Sequence, residues 1–184
     1  VEPYLRSLQG NGAVACPVVV YGNRAYEDAL LELGDILAGD GFLPVAGAVF
    51  VAEHSMTAKV ATGRPSKGEL AEGKAFGEQL KAKLAKDDLS RPEIPGKPSG
   101  GDPMYPATKE NCIGCGICAK GCPMQIISRE DFCTIIAPEN CIRCCACVKN
   151  CPAGAKHFDS PAFAALQQMM EENFVGEHQP EFYL

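Results

Sequence analysis

The sequence predicts an α+β chain: a parallel strand–helix–strand–helix unit, then a small cysteine-rich module and a C-terminal helix. Three observations carry that expectation. Apolar runs alternate with helical periodicities over residues 1–86, a stretch rich in proline and glycine follows, and ten of the eleven cysteines fall between Cys112 and Cys151. The boundaries expected are 1–86 for the first unit, 87–105 for a linker, 106–159 for the cysteine module and 160–184 for the last helix and tail. The 184 residues suffice for one ordinary domain or two small ones.

Val14 to Tyr21 is a continuous apolar run ending at Gly22, the pattern of a strand buried on both faces. Pro17 cannot donate to a sheet and is placed near the start of the strand. From Tyr26, Leu30, Leu33 and Leu37 recur at helical spacing with Ile36 beside them, and Gly39 and Gly41 stop the helix. Val45 to Val51 is the second buried-strand candidate. Ser66-Lys67-Gly68-Glu69 fits a capping box that opens a helix with Leu70, Phe76, Leu80 and Leu84 inward. Gly73 and Gly77, four apart on one face, let that helix approach a sheet closely. This order implies a right-handed parallel unit.

Asp87 to Asp102 has Pro92, Pro95 and Pro98 with Gly96, Gly100 and Gly101, and reads as a semi-extended linker. At the other end, Ser160-Pro161 supplies an N-cap and a first-turn proline to a helix with Phe163, Leu166, Met170 and Phe174 on one side.

A formal charge of −6 gives no basic footprint, which argues against nucleic acid and anionic membrane surfaces as partners. No apolar run approaches the length of a membrane span. The opening residues Val1 to Gly12 lack the apolar stretch of a signal peptide, so a cytoplasmic location is expected. His54, His157 and His178 form no ligand or nucleophile–base grouping. Gly10-Asn11-Gly12-Ala13-Val14-Ala15 fits G-x-G-x-x-A but precedes a strand, whereas a dinucleotide fingerprint follows one.

The cysteines carry the chemistry. Residues 112–123 read CIGCGICAKGCP and 141–152 read CIRCCACVKNCP: both are C-x2-C-x2-C-x3-C-P, offset by 29, with seven of twelve positions identical. This duplicated spacing is that of two [4Fe-4S] cubanes. Two intervening residues let a tight loop wrap three corners of a cubane, and the fourth cysteine points away to the other cluster. Cys112, Cys115, Cys118 and Cys151 are therefore assigned to one cluster, and Cys141, Cys144, Cys147 and Cys122 to the second. Pro123 and Pro152 redirect the chain after each run. Ile126–Ser128 and Cys133–Ile136 are expected to pair as a hairpin. A disulfide scaffold needs an oxidising compartment, and structural zinc uses two C-x2-C pairs separated by a gap, so both fit less well. Cys145, Cys133 and Cys16 remain as small packed residues, with Cys145 also open as a labile ligand.

Residues 106–158, with all eight ligand positions matched, resemble a two-cluster bacterial-type ferredoxin. Residues 1–86, with a strand ending in Tyr21-Gly22, stretches YGNRAY and GRP, and a last helix ending FGEQLKAKL, resemble the C-terminal half of a flavodoxin. The whole order, including the tail Glu181-Phe182-Tyr183-Leu184, is similar to a family of flavodoxin–ferredoxin fusion proteins. The resemblance implies that Tyr21, Gly22, Asn23, Arg24 and Tyr26 correspond to an FMN ring loop. The phosphate loop and the other ring loop have no counterpart; Thr62-Gly63-Arg64-Pro65-Ser66 lies too far past its strand. The expectation is that a complete parent protein holds FMN and this chain alone does not. Lacking a neighbour, the Val14–Tyr21 strand would expose an apolar edge prone to self-association.

The function expected is transfer of single electrons through two [4Fe-4S] clusters, with no catalytic activity of its own. Each oxidised four-thiolate cluster adds a charge of about −2, making the loaded chain strongly acidic and suited to basic patches on reductases or acceptor enzymes. Two alternatives stay open: an electron-input module or fragment of a flavin-dependent oxidoreductase, and clusters with a structural or sensory role.

Overall fold

The computed structural model describes residues 2–96 and 104–184. Its elements run α1 (Glu2–Leu5), β1 (Val14–Ala15), β2 (Val18–Tyr21), α2 (Ala29–Gly39), β3 (Leu43–Pro44), β4 (Gly47–Val51) and α3 (Lys67–Leu84). They continue as β5 (Ala107–Thr108), α4 (Ile117–Lys120), α5 (Ala146–Lys149), β6 (Lys156–His157), α6 (Pro161–Asn173) and β7 (Glu181–Tyr183). Mixed helices and small sheets of this kind make an α+β structure. The described residues of 1–54, 59–99 and 175–184 form one compact unit, and those of 55–58 and 100–174 another. The 55–58 loop thus groups with the second unit, and the tail after α6 with the first.

In the first unit, the Val14–Tyr21 run forms two short strands rather than one. Proline at 17 has no N–H, so the ladder persists there only through carbonyls, with the Ala48 N–H donating to the Pro17 carbonyl at 3.0 Å. β1 pairs with β3, and β2 with β4, both in parallel; Val18 stands opposite Ala48 and Tyr21 opposite Val51. β7 adds antiparallel to the far side of β4, giving the order β2-β4-β7. The aromatic tail thus completes a sheet that the sequence reading did not foresee. β4 is central and its side chains, apart from Phe50, are buried. β2 is not buried on both faces as expected: Val18 is 47% and Val20 62% exposed.

The reason lies in how the helices cover the sheet. On one face Leu30 of α2 meets Val49, with Val19, Tyr21 and Tyr183 around them. On the other, Phe76 of α3 packs with Ala46 and Ala48, and its ring stacks on Phe182 at 5.0 Å. α3 therefore lies over β4 and β7, leaving Val18 and Val20 uncovered. Gly73 fixes this approach, since a Cβ there would come within 2.7 Å of the Phe50 ring; at Gly77 a Cβ would meet nothing, so only the first of the pair serves close packing. Leu70, expected inward, is 57% exposed. The capping box forms as its residues imply: Ser66 Oγ accepts from the Glu69 N–H at 3.2 Å, and Glu69 Oε2 from the Ser66 N–H at 2.6 Å.

Of the linker stretch, residues 97–103, including Pro98, Gly100, Gly101 and Asp102, lie outside the described residues. The preceding part is docked rather than free. Ile94 is buried against Leu30 and Val49, Arg91 pairs with Asp35, and Lys83 Nζ donates to the Ser90 carbonyl at 2.9 Å.

The second unit has little regular structure. Its helices α4 and α5 span four residues each, and β5 pairs antiparallel with β6 over two. Ile127 bridges Ile135 and the Ile136 N–H donates to the Ile126 carbonyl at 2.8 Å, so the chain between the two cysteine runs turns back on itself. α6 is capped by Ser160, and Phe163 stacks on Phe158 with centroids 4.1 Å apart. Thr57 donates to Glu171 at 2.6 Å, tying the 55–58 loop to this helix.

Candidate metal centre

Each cysteine run folds as a loop leading into one helical turn, and the two loops share their unusual backbone. Gly114 and Arg143, Gly116 and Cys145, and Gln125 and Gly154 are equivalent under the 29-residue offset, and all six have positive φ. Left-handed backbone is easy for glycine and costs other side chains on the order of 1 kcal/mol. Arg143, Cys145 and Gln125 adopting it shows that loop geometry, rather than residue preference, sets the conformation.

The sulfurs sort into two places. Cys112, Cys115, Cys118 and Cys151 line one cavity, together with Phe132, Ala155 and Lys156. Cys122, Cys141, Cys144 and Cys147 line another, with Pro123, Ile126, Ile142 and Phe158. In each, three cysteines come from one run and the fourth from the other. Among the described residues no group of three or more His, Cys, Asp or Glu side chains is placed to hold a single metal ion.

Electrostatics differ between these cysteines. The Cys151 sulfur accepts from the Ala155 N–H at 3.2 Å, and the N–H groups of Lys156, Ala155, Ala153 and Gly154 together lower its pKa. Burial pushes the Cys147 thiol up to about 12 and raises Cys141 as well. Those thiols stay protonated unless a metal displaces the proton. Of the cations near the runs, Lys156 is buried and lines the first cavity, donating to Thr108 Oγ1 at 2.6 Å. Lys120 and Lys149 are exposed and Arg143 is partly buried.

The surplus cysteines are not alike. Cys145 is buried at a left-handed position beside the second cavity, its pKa raised to about 11 chiefly by burial. Cys16 is partly buried against Ala46, Ala48 and Phe76. Cys133, expected as a buried hydrophobe, is exposed. Asp131 explains this: its carboxylate accepts from the N–H groups of Cys133 and Thr134 and from the Thr134 hydroxyl, holding the turn out in solvent.

The residues matched to an FMN ring loop are brought together in the first unit but engage the chain's own tail. Asn23, 1% exposed, donates to the Gly176 carbonyl at 2.6 Å and accepts from the His178 N–H at 3.2 Å. Tyr26 donates to Glu181 at 2.7 Å and lies edge-on to Tyr21, while Arg24 pairs with Glu27. Gly22 abuts the His54 ring, which a Cβ would approach within 2.4 Å. Titration of the chain with FMN is accordingly expected to show no tight one-to-one binding; saturation at one equivalent would overturn this. What the sequence reading missed is the buried Arg64–Glu69 pair beside Asn23, although the capping box had singled out Glu69.

A family model for the 4Fe-4S dicluster domain matches residues 111–156. No curated protein matches the chain. Residues 111–156 are thus a ferredoxin-like iron–sulfur domain, which supports 4Fe-4S binding and a role in electron transfer. No helix among the described residues is long and apolar enough to cross a membrane.

Proposed function

We propose that the chain carries single electrons through two [4Fe-4S] clusters. One is held by Cys112, Cys115, Cys118 and Cys151, the other by Cys141, Cys144, Cys147 and Cys122. The observation that carries this reading is the crossed lining of two separate cavities, each with three cysteines of one run and the fourth of the other. The donor set fits the group: four thiols round a volume, apolar walls and, at Cys151, backbone N–H groups aimed at sulfur.

The clusters supply one-electron redox chemistry; the protein supplies ligation, dielectric and a place to dock. Ile113 and Ile142, the equivalent residues after the first cysteine of each run, line the cavities and are 68% and 49% exposed. They mark thin apolar walls through which an electron passes to a partner. The partners proposed are a reductase and an acceptor enzyme with basic docking patches, in the cytoplasm, drawn by the acidity of the loaded chain. Anaerobically purified protein is expected to contain about eight iron and about eight acid-labile sulfide per chain, with a visible band that bleaches reversibly on reduction. Zinc without sulfide would end the proposal.

A further inference from the structure

We infer that Lys156 is the buried counter-charge of the cluster held by Cys112, Cys115, Cys118 and Cys151, and that it makes this cluster the first of the two to be reduced. The inference rests on the two-cluster reading above. Lys156 forms part of the wall of the first cavity and is only 2% exposed. Both groups that its ammonium bonds are neutral: Nζ donates to Thr108 Oγ1 at 2.6 Å and to the Cys133 carbonyl at 3.4 Å. A buried cation is costly unless an opposite charge faces it. The quartet supplies that charge once loaded, about −2 with the cluster oxidised and one unit more with it reduced.

The duplication shows what the lysine adds. Under the 29-residue offset Lys156 corresponds to Ile127, which is also 2% exposed and lines the second cavity. One position of the repeat thus sets an ammonium against the first quartet and a hydrocarbon against the second. Apart from its cysteines the rest of the second wall is uncharged, built from residues such as Pro123, Met124, Ile126, Ile142 and Phe158. Lys156 serves its own quartet through the backbone as well, its N–H being among those aimed at the Cys151 sulfur. The cations beside the second quartet face water: Lys149 is exposed and Arg143 partly so, and solvent and salt screen them. The charge of Lys156 also reaches Cys147. It does so from outside the second cavity's wall, so the second cluster gains less from it.

A positive charge in a low-dielectric wall favours the more negative state of the group it faces. Reduction adds one electron, supplied by the reductase proposed above, and one unit of negative charge; no bond is made or broken and no proton moves. The electron therefore settles beside Lys156, and the second cluster fills after the first.

The test is stepwise reduction of the anaerobically loaded full chain, followed by NMR of the paramagnetically shifted cysteine β-protons assigned to each quartet, with iron and sulfide counted for every variant. In the wild type the signals of Cys112, Cys115, Cys118 and Cys151 should respond at a higher potential than those of the other four. K156M should weaken reduction of the first cluster by about tenfold or more, which is about 59 mV for a one-electron couple, and should move the second less. K156R should stay within about threefold of wild type, and K149M, which removes an exposed cation, should move neither cluster further than that. A lysine needed only for packing would leave the first cluster's potential unmoved in a K156M that still holds about eight iron. Equal shifts of both clusters in K156M would overturn the role of Lys156. Should K156M fail to load, the wild-type order decides: reduction of the second quartet first, or of both together, overturns that role and leaves the two-cluster reading intact. A wild-type chain without cubane iron would overturn both.

Discussion

Stripping the iron is expected to unfold the second unit while the first keeps its core. Below about 80 residues a fold commonly needs a staple beyond its apolar core, and this unit is poorly supplied otherwise. Its buried hydrophobic cluster is Cys118, Ala119, Ile126 and Ile127, and its regular elements before α6 are single helical turns and two-residue strands. Four of the residues packed in or around that cluster are themselves cysteines, Cys118, Cys122, Cys141 and Cys147. Without metal, Cys141 and Cys147 become buried neutral thiols, and the loops that held positive φ at Arg143 and Cys145 lose what imposes it. Metal binding and folding are then one process. The first unit contributes none of the eight proposed ligands, and Leu30, Val49 and Val51 are completely buried in it. Amide hydrogen exchange before and after chelation under oxidising conditions is the direct measurement. The Ser128, Ile136 and Lys149 amides, which donate to Thr134, Ile126 and Cys145, should lose protection, whereas those of Val49 and Val51 should hold theirs. Persistent protection at Ile136 in iron-free protein would show that the unit folds without the clusters.

The cysteine spacing made the candidate site readable because ligand geometry constrains sequence directly: a cubane fixes which residues are sulfur donors and how far apart they stand. The same force did not act on Cys133, whose position depends on Asp131 capping a turn, and the sequence reading buried it. In the first unit the 3.6-residue periodicity and the Ser66–Glu69 signal sufficed for α2 and α3. The β2 edge was harder, because an apolar run such as VVVY looks alike whether one face or both are covered. β7 escaped for a related reason. Three residues, Glu181–Tyr183, carry no period of their own, and their strand exists only because β4 presents an open edge to which Phe182 and Tyr183 bring one aromatic for each face.

Replacing Arg64 with methionine is expected to destabilise the first unit by about 3 kcal/mol at neutral pH, because it strands a buried carboxylate. The side chains of Arg64 and Glu69 are only 12% and 6% exposed. Arg64 Nε donates to Glu69 Oε1 at 2.9 Å, a second guanidinium nitrogen reaches the same oxygen, and Nη1 extends to Asn23 Oδ1 at 3.4 Å. Asn23 in turn holds the tail through Gly176 and His178. One cation thus joins the start of α3, the loop after β2 and the segment leading to β7. The Arg64 hydrogen bond, with help from Ser66, lowers the Glu69 pKa to about 2 from 4.5. A carboxyl depressed on folding stabilises fully above its unfolded value, and that contribution fades as the pH falls from about 4.5 towards 2. In R64M the depression by arginine is gone, so the gap between wild type and variant should narrow through that same window. Denaturant unfolding of iron-loaded protein, followed at Val49 by exchange or NMR at pH 7 and near pH 3, would measure it. E69L combined with R64M should recover part of the loss by removing the stranded charge. An R64M penalty that is unchanged at low pH and unrelieved by E69L would mean that arginine acts through packing of its stem, and that the ion pair contributes nothing to holding the tail on the sheet.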